Sequence, residues 1–128
     1  MGKAAPKGYW NARKDAILEA MKEEVHNNPE SALVFLDTML DFIFDSCAEM
    51  EDGKIKCYVR SEYKYYYFDT VEELFNNCPY KMEDIALNLS LNQKNHFHFH
   101  KESIPKSVLA AMKKYAITEK AIARWQNN

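Results

Sequence analysis

Three histidines alternate with phenylalanine in the run His96-Phe97-His98-Phe99-His100. In an extended chain the period of two puts His96, His98 and His100 on one face and the phenylalanines on the other. Neighbouring imidazoles then stand about 6.6 Å apart at Cα, close enough for two of them to share a zinc ion. The outer pair is twice as far apart, so one ion uses two of the three and needs a further ligand from elsewhere. No second H-x-H and no C-x-x-C supplies one. Zinc is thus the one candidate cofactor, and a metal-dependent hydrolase the one enzymatic reading. The competing reading is an exposed amphipathic strand whose imidazoles form a pH-sensitive surface.

A second group mixes aromatic rings with cations. Tyr58, Tyr63, Tyr65, Tyr66 and Tyr67 interleave with Lys54, Lys56, Arg60 and Lys64. Tyrosines beside cations can stack unpaired bases, and tyrosine-rich surfaces serve as protein-binding hot spots. Tyrosine is also a favoured strand residue, so one face of such a hairpin is expected to cover the core. A protein partner is the expected use of the other face. A third group is acidic: Asp37, Asp41, Asp45 and Glu49 recur every four residues. On a helix they form a stripe of one sign, mildly destabilising alone, that a cationic partner would relieve.

The C-terminal stretch SVLAAMKKYAITEKAIARWQNN resembles the helix-turn-helix of bacterial and phage DNA-binding proteins over about 20 residues. The resemblance implies a first helix with Ala111 and Tyr115 packed inward, a turn at Ala116-Ile117-Thr118, and a second helix anchored by Ile122 and Trp125. Lys120, Ala123, Arg124 and Asn127 would then face the major groove, while Lys106, Lys113 and Lys114 contact phosphates. Three residues depart from the motif. Ala116 replaces the usual turn glycine, Met112 is bulky where alanine is usual, and Glu119 brings a negative charge near the expected phosphates. Without DNA, residues 105–127 read as a helical hairpin closing the core, with Trp125 as its plug.

These groups need a scaffold, and the pattern of the chain supplies one. Asn28 and Pro29 open a long helix that continues by periodicity to about Met50, apolar around more than half its circumference and so expected to be buried among other elements. Before it, Asn11 caps a helix from Ala12 to about His26, with Ile17, Leu18, Met21 and Val25 on one face. Residues 1–10 read as a flexible arm. After it, the Asp52-Gly53 turn changes the period to two, and an antiparallel hairpin runs from Lys54 to Phe68. Thr70 and Glu73 form a capping box for a short helix that Cys78-Pro79 ends. Residues 80–91 fit both a strand (Ile85, Leu87, Leu89, Leu91) and a helix from Met82 to Leu89. The alternation that continues into His96–His100 favours a second hairpin. Ser103 and Pro105 open a helix to about Tyr115, and a last helix spans Glu119 to Gln126. The fold class is α+β: an antiparallel sheet of two hairpins packed on a long buried central helix, with helical pairs at each end, in a single domain 1–128.

Composition narrows the function. The chain has 128 residues, long enough for one self-sufficient core. Only three glycines occur, which excludes phosphate-cradling loops and dinucleotide fingerprints. MGKAAPKGYW lacks the apolar run of a secretory signal, Pro6 spoils a myristoylation site at Gly2, and no stretch approaches membrane-spanning length. Three cysteines without a C-x-x-C suit reduced thiols in the cytoplasm. The net charge of −2 conceals an acidic run from His26 to Gly53 and a basic end after Lys94, which either neutralise each other or face different partners. The expectation is a small non-enzymatic binding protein: a nucleic-acid-binding regulator using the C-terminal helix pair, or a phage or mobile-element type inhibitor or adaptor. The second would act through the acidic stripe or the tyrosine hairpin.

Overall fold

The computed structural model describes residues 9–91 and 104–114. Their elements are α1 (Tyr9–Asn27), α2 (Pro29–Phe44), β1 (Cys47–Glu51), β2 (Lys54–Val59), β3 (Lys64–Phe68), α3 (Val71–Asn77), α4 (Met82–Leu91) and α5 (Lys106–Lys114), with a single 3-10 turn at Arg60–Glu62. The class is α+β, as the sequence reads. The helix expected at 119–126, the histidine strand at 96–100 and residues 1–8 of the arm lie outside the described residues. Tyr9 and Trp10, expected in the arm, and Asn11, expected as a cap, are already helical in α1.

Helix α1 buries Ile17, Ala20, Met21 and Val25 and packs against α2, α3, α4 and α5. It, rather than α2, is the element that most of the helices share. In α2 the buried residues are Ala32, Phe35, Leu36, Met39 and Leu40, spaced as one helical stripe. Val34 and Phe42 on its other side are exposed, so α2 is amphipathic and not enclosed all round.

The largest departure from expectation is where α2 stops. Asp45 adopts a left-handed conformation (φ 52°), and the N–H of Ser46 reaches the carbonyl of Leu40 at 3.1 Å. The left-handed residue ends the helix, with Asp standing where Gly is commonest. Cys47–Glu51, which continue the helical periodicity on paper, instead form β1. They pair with β2 through Asp52-Gly53, both at positive φ (52° and 81°). That is the type I′ geometry for which Asp-Gly is favoured, and it requires a strand on each side of the turn. The hairpin β2–β3 forms as read, so the sheet is a three-stranded antiparallel meander in the order β1-β2-β3.

Residues 82–91 also fold differently from the favoured reading: they are helical. Ile85 and Leu89 satisfy both periods, but Met82 and Ala86 are buried while Leu87 is exposed, a helical and not an alternating pattern. Packing of α4 on α1 decides it. The capping box holds with one shift. Thr70 Oγ1 accepts from Glu73 N (3.1 Å), and the Glu73 carboxylate accepts from Asp69 N (2.9 Å), one residue before the usual partner. At the start of α2, Asn28 occupies the cap position without a side-chain bond. Helix α5 buries Val108 and Met112 against α1, and its Ser107 hydroxyl donates to Glu24 at 2.9 Å.

One contact ties helix to sheet. Asp37 Oδ1 on α2 accepts the backbone N–H of Ala48 on β1 at 2.8 Å. Burial raises the Asp37 carboxyl above its ordinary value of 3.8; the Ala48 bond opposes the rise, while the charges of Glu49 and Asp41 add to it. The folded chain therefore holds this proton to a higher pH than the unfolded chain does. The contribution of Asp37 to stability is greatest below pH 3.8 and declines as pH rises through the folded-state value. Asp37→Asn keeps the oxygen acceptor without the charge. Chemical denaturation between pH 3 and 7 should find it within about 0.5 kcal/mol of the parent and lacking this slope, whereas Asp37→Ala should lose about 1–3 kcal/mol by stranding the Ala48 N–H.

Candidate functional site

The sheet has one face on the core and one in the open. Ala48, Ile55, Cys57, Val59 and Phe68 point inward and are buried, with Tyr66 half-buried in the same set. The alternate positions make cross-strand rows on the outer face: Cys47, Tyr58 and Tyr65 in one, Glu49, Lys56 and Tyr67 in the next. Tyr65 and Tyr67 are each 56% exposed and Tyr63 is 75% exposed. The Tyr58 and Tyr65 rings stand 5.2 Å apart at a tilt of 49°, and Lys56 Nζ lies 4.4 Å over the Tyr65 ring. Lys56 also meets Glu51 at 3.2 Å, and that bond raises its pKa above 10.5. The pairing holds the rings in place: cross-strand aromatic and cation–π contacts stiffen the surface they expose.

The free edge of this sheet follows from the Asp37 contact. The N–H of Ala48 points at Asp37 and so away from β2, which makes Ala48 and Cys57 a non-hydrogen-bonded pair. The backbone groups of Cys57 must then face β3 and bond Tyr66, its register partner. Alternation turns the N–H and C=O groups of Tyr65 and Tyr67 outward. Outside the sheet ladder, neither residue has a backbone–backbone bond among the described residues. The β1 edge is covered by α2, and among the described residues no strand pairs with the β3 edge.

The turn between β2 and β3 is anchored from below. Ser46 is buried; its Oγ accepts from Arg60 N (3.0 Å), donates to the Phe44 carbonyl (3.0 Å), and bonds the Tyr80 hydroxyl (3.0 Å). Tyr80 OH also accepts from Ser61 N at 3.2 Å, and its ring stacks on Phe44 at 4.0 Å. Burial opposes ionisation of Tyr80, but its bonds with Ser46 and Ser61 outweigh it and lower its pKa. At the end of this turn Tyr63 takes a left-handed conformation (φ 54°), with Arg60 Cζ 6.0 Å from its ring centroid. For a side chain this bulky the conformation costs about 1–2 kcal/mol. None of this anchorage was legible beforehand, because Ser46 and Tyr80 act across 14 to 34 residues.

The acidic residues do not form a helical stripe. Asp37 and Asp41 lie on α2, Asp45 caps it and pairs with Arg60 at 2.7 Å, and Glu49 stands on the outer face of β1. Asp37, Asp41 and Glu49 are near enough to act on one another electrostatically. Of the basic residues assigned to nucleic acid, Lys106, Lys113 and Lys114 are exposed on α5. Lys120, Arg124 and Asn127 lie outside the described residues, as do His96, His98 and His100. Met112, an oddity for a helix-turn-helix, is a buried contact of α5. Among the described residues no group of three or more His, Cys, Asp or Glu is placed to hold a metal ion, and no helix is long and apolar enough to cross a membrane. Comparisons with protein families, curated proteins and solved structures find no match for this chain.

Proposed function

We propose that this is a non-enzymatic protein-binding module, an inhibitor or adaptor working in the cytoplasm. It grips an extended segment of its partner along β3. The observation that carries the reading is the coincidence, on one short strand, of outward backbone groups and outward rings at Tyr65 and Tyr67. A peptide laid along that edge gains main-chain hydrogen bonds from the strand and side-chain contacts from the tyrosine face. Tyrosine supplies large contact area with few rotatable bonds, which limits the entropy lost on binding. Lys64, exposed at the start of the edge and without an ion pair among the described residues, favours a segment that carries a carboxylate there. Tyr63 supports the reading in another way. A ring is held, exposed, at a position where glycine is less strained, a pattern that accompanies function at stability's expense.

The test pans a displayed random-peptide library on the full chain and measures selected peptides against variants. Tyr65→Ala and Tyr67→Val should each weaken binding about tenfold or more by removing a ring. Tyr67→Pro should weaken it further, since it removes an outward N–H that the fold itself does not use. Tyr63→Gly should raise the melting temperature while reducing affinity. Peptides that bind all four variants as they bind the parent would refute the reading.

A second reading rests on α5, where Lys106, Ala110, Lys113 and Lys114 share an exposed face. That basic face could contact phosphates, as the helix-turn-helix resemblance implies. Anisotropy with a labelled DNA duplex should then show affinity falling steeply with salt and weakened by Lys120→Ala with Arg124→Ala. Salt-insensitive or absent binding would remove it.

A further inference from the structure

The molecule carries a second feature, on the other side of the sheet. Cys57 stands on β2, the middle strand, facing the core and fully buried. Cys78 ends α3, its N–H bonded to the Leu74 carbonyl at 3.0 Å. Cys57 belongs to the buried core cluster and Cys78 packs against that cluster, with the two thiols near enough to act on each other's ionisation. Cys78 is half-buried and lines a cavity of about 270 Å³ between α1, α3 and the start of α4. Leu18, Phe75 and Met82 are its apolar walls, and Lys22 and Lys81 lie on its rim. Hydrogen peroxide, little larger than water, fits this space. Cys47 differs: it is exposed on the outer face of β1, across the sheet from the pair.

We propose that Cys57 and Cys78 form a hydroperoxide-reactive dithiol that closes reversibly to an intramolecular disulfide, linking the middle strand to the C-terminal end of α3. Cys78 is the attacking group and Cys57 the resolving one. The Cys57 thiol and the Tyr80 N–H stabilise negative charge on Cys78, and its pKa falls, although burial opposes the fall. The neighbouring Cys78 and burial raise that of Cys57. The Cys47 thiol is raised by burial and by the charges of Asp37, Glu49 and Asp41, so it holds less thiolate. In the first step the Cys78 thiolate attacks one peroxide oxygen and the O–O bond breaks. Cys78 becomes a sulfenic acid, and the other oxygen leaves as water or an alcohol after taking a proton. In the second step Cys57 sulfur attacks Cys78 sulfur, the S–O bond breaks, and hydroxide leaves as water with the Cys57 proton. Two thiols lose two electrons in all, and the peroxide gains them. A dithiol reductant reverses the closure by thiol–disulfide exchange.

The experiment treats the reduced full chain with a small excess of hydrogen peroxide, then counts thiols and maps peptides without reduction. The free thiols should fall from three to one, with a Cys57–Cys78 peptide pair, Cys47 still alkylatable, and full recovery on adding dithiothreitol. The melting temperature of the oxidised chain should rise, since the link closes a loop in the unfolded state. Cys57→Ala should leave a sulfenic acid on Cys78 that dimedone traps, whereas Cys47→Ser should change nothing. The parent-chain mapping needs no variant, so a misfolded variant leaves the test intact. Oxidation confined to Cys47, dimers linked between chains, or three thiols surviving the treatment would overturn the proposal.

Discussion

The carboxylate of Asp37 takes the backbone N–H of Ala48, and through that bond a helix closes one edge of the sheet. Its geometric consequences run across all three strands. Because that N–H is turned outward, the hydrogen-bonding phase of the whole ladder is set, and the last strand must end with Tyr65 and Tyr67 facing away. The reversal at Asp45 makes the contact possible, since it folds β1 back beside the helix it leaves. An unpaired strand edge is a hazard that proteins commonly blunt with charge or cover. Here one edge is covered by α2, and the other has no strand beside it among the described residues and lies beneath a set of tyrosines.

Keeping that surface rigid takes support from a distance. Ser46 and Tyr80 hold the Arg60–Glu62 turn from below, and the Phe44–Tyr80 stack joins the end of α2 to the segment before α4. Tyr66 OH donates to Glu62 at 2.6 Å, a bond that raises the tyrosine's pKa and fixes the start of β3. The two bonds of Ser46 are part-buried and those of Ser61 and Tyr66 are exposed, and together they frame the strained backbone at Tyr63. The thiol pair lies on the inner side of the same sheet, separated from the tyrosines by the thickness of β2.

What could be read from the residues was local. Thr70-x-x-Glu73 marks its helix because both partners lie within one turn, and Ile55, Cys57 and Val59 declare a strand by strict alternation. The tyrosine face was legible for the same reason: once β2 and β3 are strands, the outward residues follow. Strand β1 was not, because Cys47 and Met50 extend the apolar period of α2 and CAEME carries only a weak alternation. The signal that could have found it was Asp52-Gly53, a turn that needs a strand before it as well as after. Helix α4 was misread because Ile85 and Leu89 suit either period, and only α1 distinguishes them by burying Met82 and Ala86 while leaving Leu87 exposed. The outward phase of the β3 edge depends on a bond between residues 37 and 48, and no local pattern reports it.

Amide hydrogen exchange, followed residue by residue by NMR on the unbound full chain, measures that edge directly. Ala48 and Tyr66 should exchange slowly, held by Asp37 and by Cys57, while Tyr65 and Tyr67 between them should exchange at rates near those of an unprotected peptide. Equal protection of Tyr65, Tyr66 and Tyr67 would mean that β3 already has a neighbour. The docking edge would then not exist in the free protein.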